Sequence, residues 1–168
     1  IDSAEEVYVK FTDETVVQAE IVGSDVYSDI AVLSVDEEYI IAVAEIGSSE
    51  DARLGDTVFA IGAPIDSAYS WSVTRGIVSG KDRLVEVELT SGTTTTPMVV
   101  NTIQTDAAIN NGNSGGPLAN SNGEVIGITS IKLTSETIEG MGFAIPIETA
   151  VEYAEQLISG DSVERPYL

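Results

Sequence analysis

The chain has 168 residues and contains neither cysteine nor histidine. Without cysteine it forms no disulfide and no thiolate metal site. Without histidine it lacks the side chain that most often serves as a base near neutral pH. Positive charge is also scarce. Seven Lys and Arg stand against 28 Asp and Glu, a net charge of −21, and lysine is limited to Lys10, Lys81 and Lys132. Such a surface repels nucleic acid and anionic membranes, so neither is expected as a partner. No apolar run reaches the roughly 18 residues needed to span a bilayer. The first residues lack the basic-then-apolar pattern of a secretory leader, which leaves one removed upstream open.

What is present is a patterned, foldable chain. Hydrophobic residues make up 43% of it, enough to bury a core and too many for a disordered acidic tail. The acids are spread along the whole length and read as a solvated shell. Adaptation to high salt, where counterions screen self-repulsion, is the expectation drawn from them.

Short strands follow one another. Residues 6–11 and 16–22 alternate and form a hairpin, which 23–25 break. Residues 30–35 and 57–61 are short apolar runs of the buried-strand kind, and 40–44 extend the apolar packing. Residues 48–56 read as a turn. Residues 71–79, 84–89 and 98–105 are β-like, with 91–96 a loop between the last two. Asn122-Gly123 lies between two apolar runs and signals a hairpin. Residues 134–142 read as a loop and 142–146 as a short apolar strand. The one helix comes last. Ala150, Val151, Ala154, Leu157 and Ile158 form its apolar stripe, with Glu148 near its start and Gly160 just past its end. Many short strands and one terminal helix argue for an all-β antiparallel barrel or sandwich.

The chemistry concentrates in residues 104–118, where Gly112-Asn113-Ser114-Gly115-Gly116-Pro117 encloses one serine in glycine. Glycine allows positive φ and close backbone approach, so successive N–H groups can converge beside Ser114 and bind a developing oxyanion. An ordinary turn fits the same string. The G-x-S-x-G elbow of the α/β-hydrolases does not, because that elbow needs a helix directly after the serine and a β-hairpin comes next here. This also disfavours a carboxyl-ester hydrolase.

Four segments in order resemble the HtrA (DegP/DegS-like) family of chymotrypsin-fold serine proteases. Asp25-Val26-Tyr27-Ser28-Asp29-Ile30-Ala31-Val32-Leu33 is similar to the segment carrying the triad aspartate. Thr74-Arg75-Gly76-Ile77-Val78-Ser79 is similar to the strand opening the second barrel. Residues 105–118 resemble the nucleophile segment, and Gly140-Met141-Gly142-Phe143-Ala144-Ile145-Pro146 the strand ahead of the closing helix. The resemblance covers nearly the whole chain. It implies a double antiparallel β-barrel with one C-terminal helix and an incomplete first barrel. Residues 1–70 then belong to the first barrel, 71–146 to the second, 147–160 to the closing helix, and 161–168 to a linker towards a PDZ domain.

By the same resemblance Ser114 is the nucleophile and Asp29 orients the catalytic histidine. The N–H groups of Gly112, Asn113 and Ser114 form the oxyanion hole. Ile109, Asn110 and Asn111, with Ile126, Ile128 and Ser130 of the strand 126–130, line an uncharged specificity pocket suited to small or medium apolar side chains. No cofactor or metal is implied, and acidic pairs such as Glu37-Glu38 lack ligand spacing. Asp106 reads as a fold residue, Glu86 and Glu88 as solvated. Lys132 as the base of a Ser-Lys dyad is the lesser alternative to a triad.

The family's histidine precedes its aspartate, and residues 1–7 resemble the stretch directly after that histidine. The expectation is therefore a chain cut at both ends, inert as given, with its first barrel's edges and apolar surface left for another chain to cover. The implied substrates are unfolded or misfolded polypeptides, the implied assembly a homotrimer, and the implied location outside the cytoplasm. A pseudoprotease that binds peptides or organises an assembly is the alternative.

Overall fold

The computed structural model describes residues 1, 4–63, 71–91, 94–130 and 140–163. It divides into two compact units, Ile1–Val43 with Val151–Leu168, and Ala44–Ala150.

The first unit holds an open antiparallel sheet of three strands: β1 (Val7–Lys10), β2 (Val16–Asp25) and β3 (Ile30–Ser34). Thr12–Thr15 makes the first turn, with Glu14 at positive φ and paired to Lys10. The expected break at 23–25 is not there. β2 runs on through a bulge, since Ile21 pairs with Leu33 and Gly23 with Val32, leaving Val22 as the extra residue. A bulge bends and twists a strand without ending it. Gly23 also leaves room for a neighbour, because a Cβ there would lie 3.2 Å from Cβ of Leu157. Residues 40–44 contribute no packing, contrary to expectation. Past a 3₁₀ turn at Glu37–Tyr39 the chain is irregular and Val43 is 83% exposed.

The second unit is a closed six-stranded barrel in the order β4-β5-β6-β9-β8-β7. Its strands are β4 (Thr57–Gly62), β5 (Ser72–Ser91), β6 (Thr94–Thr105), β7 (Pro117–Asn120), β8 (Val125–Thr129) and β9 (Gly142–Pro146). Every neighbouring pair is antiparallel. β4 pairs with both β5 and β7, as Val58 faces Gly76 on one side and Asn120 on the other. The barrel therefore takes in 57–62, ahead of the start at residue 71 read from sequence, because β4 is the strand that closes it. Residues 45–47 add to its edge, through Val125 N–H to Glu45 O (2.8 Å) and Gly47 N–H to Val125 O (2.9 Å).

Two strands read as separate, 71–79 and 84–89, are one. Register shifts between Val78 and Gly80 and between Gly80 and Arg83 bend β5 but keep it paired to β6. The loop expected at 91–96 is mostly strand, since Ser91 pairs with Thr94; only residues 92–93 lie outside the described residues. The loop read at 134–142 falls largely outside them, as do Lys132 and the end of the expected linker.

The barrel's interior is filled by Val58, Ala60, Val78, Ile103, Ala107, Ile109, Leu118, Ile126 and Ala144. These are small and branched residues contributed by the strands and by the segment leading to the serine. The helix α1 spans Ile147–Ser159. Its C-terminus closes as read from sequence: Gly160 takes φ 82°, with Gly160 N–H to Leu157 O at 3.2 Å and Asp161 N–H to Gln156 O at 3.0 Å. That pair of bonds is a Schellman motif. Its apolar stripe is narrower than expected. Ile147, Ala150 and Leu157 are buried, whereas Val151 is exposed and Ile158 is 62% exposed.

Candidate active site

Ser114 stands half-buried in a turn between β6 and β7. The path into that turn is pinned from β5. Asp106 Oδ1 accepts the N–H of Ile77 at 2.7 Å, and Thr105 Oγ1 accepts that of Ala107 at 3.1 Å. Gly76 is required there, since a side chain would collide with Ala107 and with the Asp106 carboxylate. Asp106 thus serves the fold, as read from sequence.

Asn113 is the hub of the turn and is only 4% exposed. Its Oδ1 accepts Asn110 N–H at 2.9 Å. Its Nδ2 donates to Ala108 O at 2.9 Å, a carbonyl that also accepts the Thr74 hydroxyl at 2.9 Å. One amide therefore ties both ends of the 108–113 segment and uses its donor and its acceptor, as a buried amide must.

Beyond the hub, the backbone of the turn is committed to the barrel. Gly112 O accepts Ala63 N–H at 2.8 Å, and Asn113 O accepts Gly116 N–H at 2.9 Å. Gly115 N–H donates to Thr129 O at 2.7 Å, and Thr129 N–H to Gly116 O at 2.9 Å. Positive φ at Gly112 (107°) and Gly115 (82°) makes the turn possible. The approach to β4 is equally close. A Cβ on Gly62 would strike the backbone of Asn113, and one on Gly116 the carbonyl of Ile61.

Of the residues read as oxyanion donors, Asn113 has its N–H bonded to Asn110 O at 3.2 Å. Of those read as pocket, Ile109 and Ile126 are core residues of the barrel. Asn110 and Asn111 are exposed, Ile128 is half-buried, and Ser130 is buried with its N–H on Phe143 O at 3.1 Å.

Sequence reasoning passed over Thr129. It is 1% exposed, and its hydroxyl reaches both Asn113 O and Gly116 O, the latter at 3.1 Å. The signal was a polar residue inside an apolar run, a position that demands a hydrogen-bond partner once buried.

Asp29 belongs to the first unit, in the turn joining β2 to β3. It holds φ at 57°, a left-handed conformation that aspartate tolerates better than most residues. The turn is locked by Asp25, whose Oδ2 accepts the N–H of Ser28 at 2.6 Å. A short side chain bonding its own turn is what lets this connection remain so tight.

The chain was compared with known proteins. Residues 1–128 match the family model of the trypsin-like peptidase domain. The serine protease Do-like HtrA of Bacillus subtilis is 46% identical over 168 residues, which is 100% of this chain and 36% of that protein. A probable periplasmic serine endoprotease, DegP-like, of Rickettsia prowazekii is 43% identical over 98% of this chain and 31% of its own length. Among solved structures, the HtrA-type protease AlgW with decapeptide superposes with a TM-score of 0.77 at 37% identity, over 94% of this chain and 45% of that one. The chain thus spans about a third of the length of the curated relatives named here. Matching family model, relatives and structural neighbour agree with the barrel: the chain belongs to the trypsin-like peptidases and, among them, to the HtrA/DegP serine proteases.

Proposed function

We propose that this chain carries the nucleophile of an HtrA-type serine endopeptidase that cuts unfolded or misfolded polypeptides. The observation that carries the reading is the turn around Ser114. Its carbonyls at Gly112, Asn113 and Gly116 are bonded into the barrel, an arrangement that suits a turn presenting N–H groups to substrate. In the reaction Ser114 Oγ attacks the scissile carbonyl carbon while its proton passes to a histidine base. The carbonyl oxygen becomes an oxyanion held by backbone N–H groups. Collapse expels the amine, which takes the proton, and water then releases the acyl group. With the Asn113 N–H spent on Asn110, Gly112 and Ser114 carry the hole. Asp29 orients that histidine, which is not among the 168 residues. The uncharged walls near Asn110, Asn111 and Ile128 suit small or medium apolar side chains. Work outside the cytoplasm and assembly as a homotrimer complete the reading.

A fluorophosphonate probe on the full-length parent protein tests it. Labelling at Ser114, lost in Ser114→Ala and absent in the isolated 168-residue chain, is the expected result. A second reading is a pseudoprotease that binds peptides without cutting them. A parent that fails to label yet binds an unfolded polypeptide in an anisotropy titration supports that reading instead.

A further inference from the structure

The sense in which Ser114 N–H points is decided by a peptide plane, and the structure shows what holds that plane. A trans peptide sends its carbonyl and its N–H to opposite sides, and no peptide in the described residues is cis. The carbonyl of Asn113 is gripped from one side by Gly116 N–H and by the hydroxyl of Thr129. The N–H of Ser114 therefore leaves on the other side.

We propose that Thr129 is a positioning residue for catalysis, its hydroxyl fixing the Asn113–Ser114 peptide so that Ser114 N–H is pre-aimed at the oxyanion. This rests on the protease reading given above. Three features carry it. Thr129 is buried, so its hydroxyl bonds within the protein rather than to bulk water. Its backbone already ties the same turn, through Gly115 N–H and Gly116 O, so β8 and the turn move as one piece. Its single hydroxyl proton is shared between Asn113 O and Gly116 O, and both carbonyls keep a backbone donor if the hydroxyl is removed. Losing the hydroxyl then frees the plane to tilt while the fold keeps its ladder. Donors aimed in advance at the developing charge account for much of the rate in such sites, and small misplacements of them are costly.

The test compares Thr129→Val with Thr129→Ser in the full-length parent protein. Phosphonylation of Ser114 by the fluorophosphonate and kcat on a peptide substrate are expected to fall about 10- to 100-fold in Thr129→Val, with KM changed by no more than about twofold. Thr129→Ser keeps the hydroxyl and recovers most of that rate, and the melting temperatures of the two variants stay close together. In parallel, amide exchange and the chemical shift of Ser114 N–H in the 168-residue chain read the plane without requiring activity. Unchanged phosphonylation in Thr129→Val overturns the proposal. So does an equal loss in both variants with matching losses of melting temperature, which would assign the effect to disturbed packing at the buried site rather than to the hydroxyl. If wild-type Ser114 does not react at all, the protease reading falls and the amide decides for Thr129. A Ser114 N–H altered in Thr129→Val but not in Thr129→Ser upholds the positioning role, and one unaltered in both overturns it.

Discussion

At the scale of single residues, the turn around Ser114 is built by contacts that leave no room for error. Gly62 lies against Asn113 so closely that a Cβ has no place to go, and the obstacle is backbone rather than a side chain that could swing aside. Gly62→Ala is expected to cost about 1–3 kcal/mol, the range of overpacked sites, and to push the turn off β4. Urea denaturation measures the first effect, and loss of the Ala63 N–H to Gly112 O bond, read by amide exchange, the second. The tight turn around Ser114 was legible in the sequence because positive φ and close backbone approach need glycine at those places. Asn113 was read only as a backbone donor, since nothing in a sequence says that an amide side chain will fold back to bond residues three and five positions earlier. Thr129 was invisible for a similar reason: its partners are 13 and 16 positions away.

At the scale of elements, the start of α1 is held by an acid that reaches far along the chain. Glu148 accepts the N–H of Ser49 at 2.8 Å and its hydroxyl at 2.5 Å, across 99 positions of sequence. Burial pushes the Glu148 carboxyl up, and the hydrogen bonds, led by that from Ser49, more than offset it, so the group sits below its ordinary value of 4.5. A carboxylate depressed in the folded state stabilises fully above its unfolded value and loses that contribution as pH falls through the folded one. Glu148→Gln is therefore expected to lower the melting temperature at pH 7, with the gap to wild type closing as pH drops below about 4.5. A gap that stays constant from pH 7 to pH 3 contradicts this. Glu148 was legible as a favourable charge at a helix start, but its distant partner was not. The strands fared alike. Alternation located β1, and short apolar runs located β4 and β9. The bulges that let β2 and β5 continue past glycine arise from pairing with a neighbour, and a period read along one strand does not carry that information.

At the scale of the whole molecule, charge is the dominant fact. The 168 residues carry a net charge of −21, and an ion pair such as Lys10 to Glu14 leaves that excess of negative charge unchanged. Repulsion of this kind is screened over about 3 Å in molar salt and over about 30 Å at 0.01 M. The melting temperature is expected to climb steeply between these conditions, and an equal value in both would remove the case for adaptation to high salt. The all-β class, the barrel and the terminal helix were all legible from strand spacing and resemblance. That 57–62 closes the barrel was not, because the closing pair, β4 with β7, joins residues far apart in the chain, such as Val58 and Asn120.

The braces on the Asn113 and Gly116 carbonyls come from β8, which is also the strand held between β7 and β9. The aim of the serine is thus borrowed from the integrity of the barrel wall. A copy that begins to fray along β8 therefore loses the geometry of the turn before it loses the barrel, so local damage to one strand registers first at the serine.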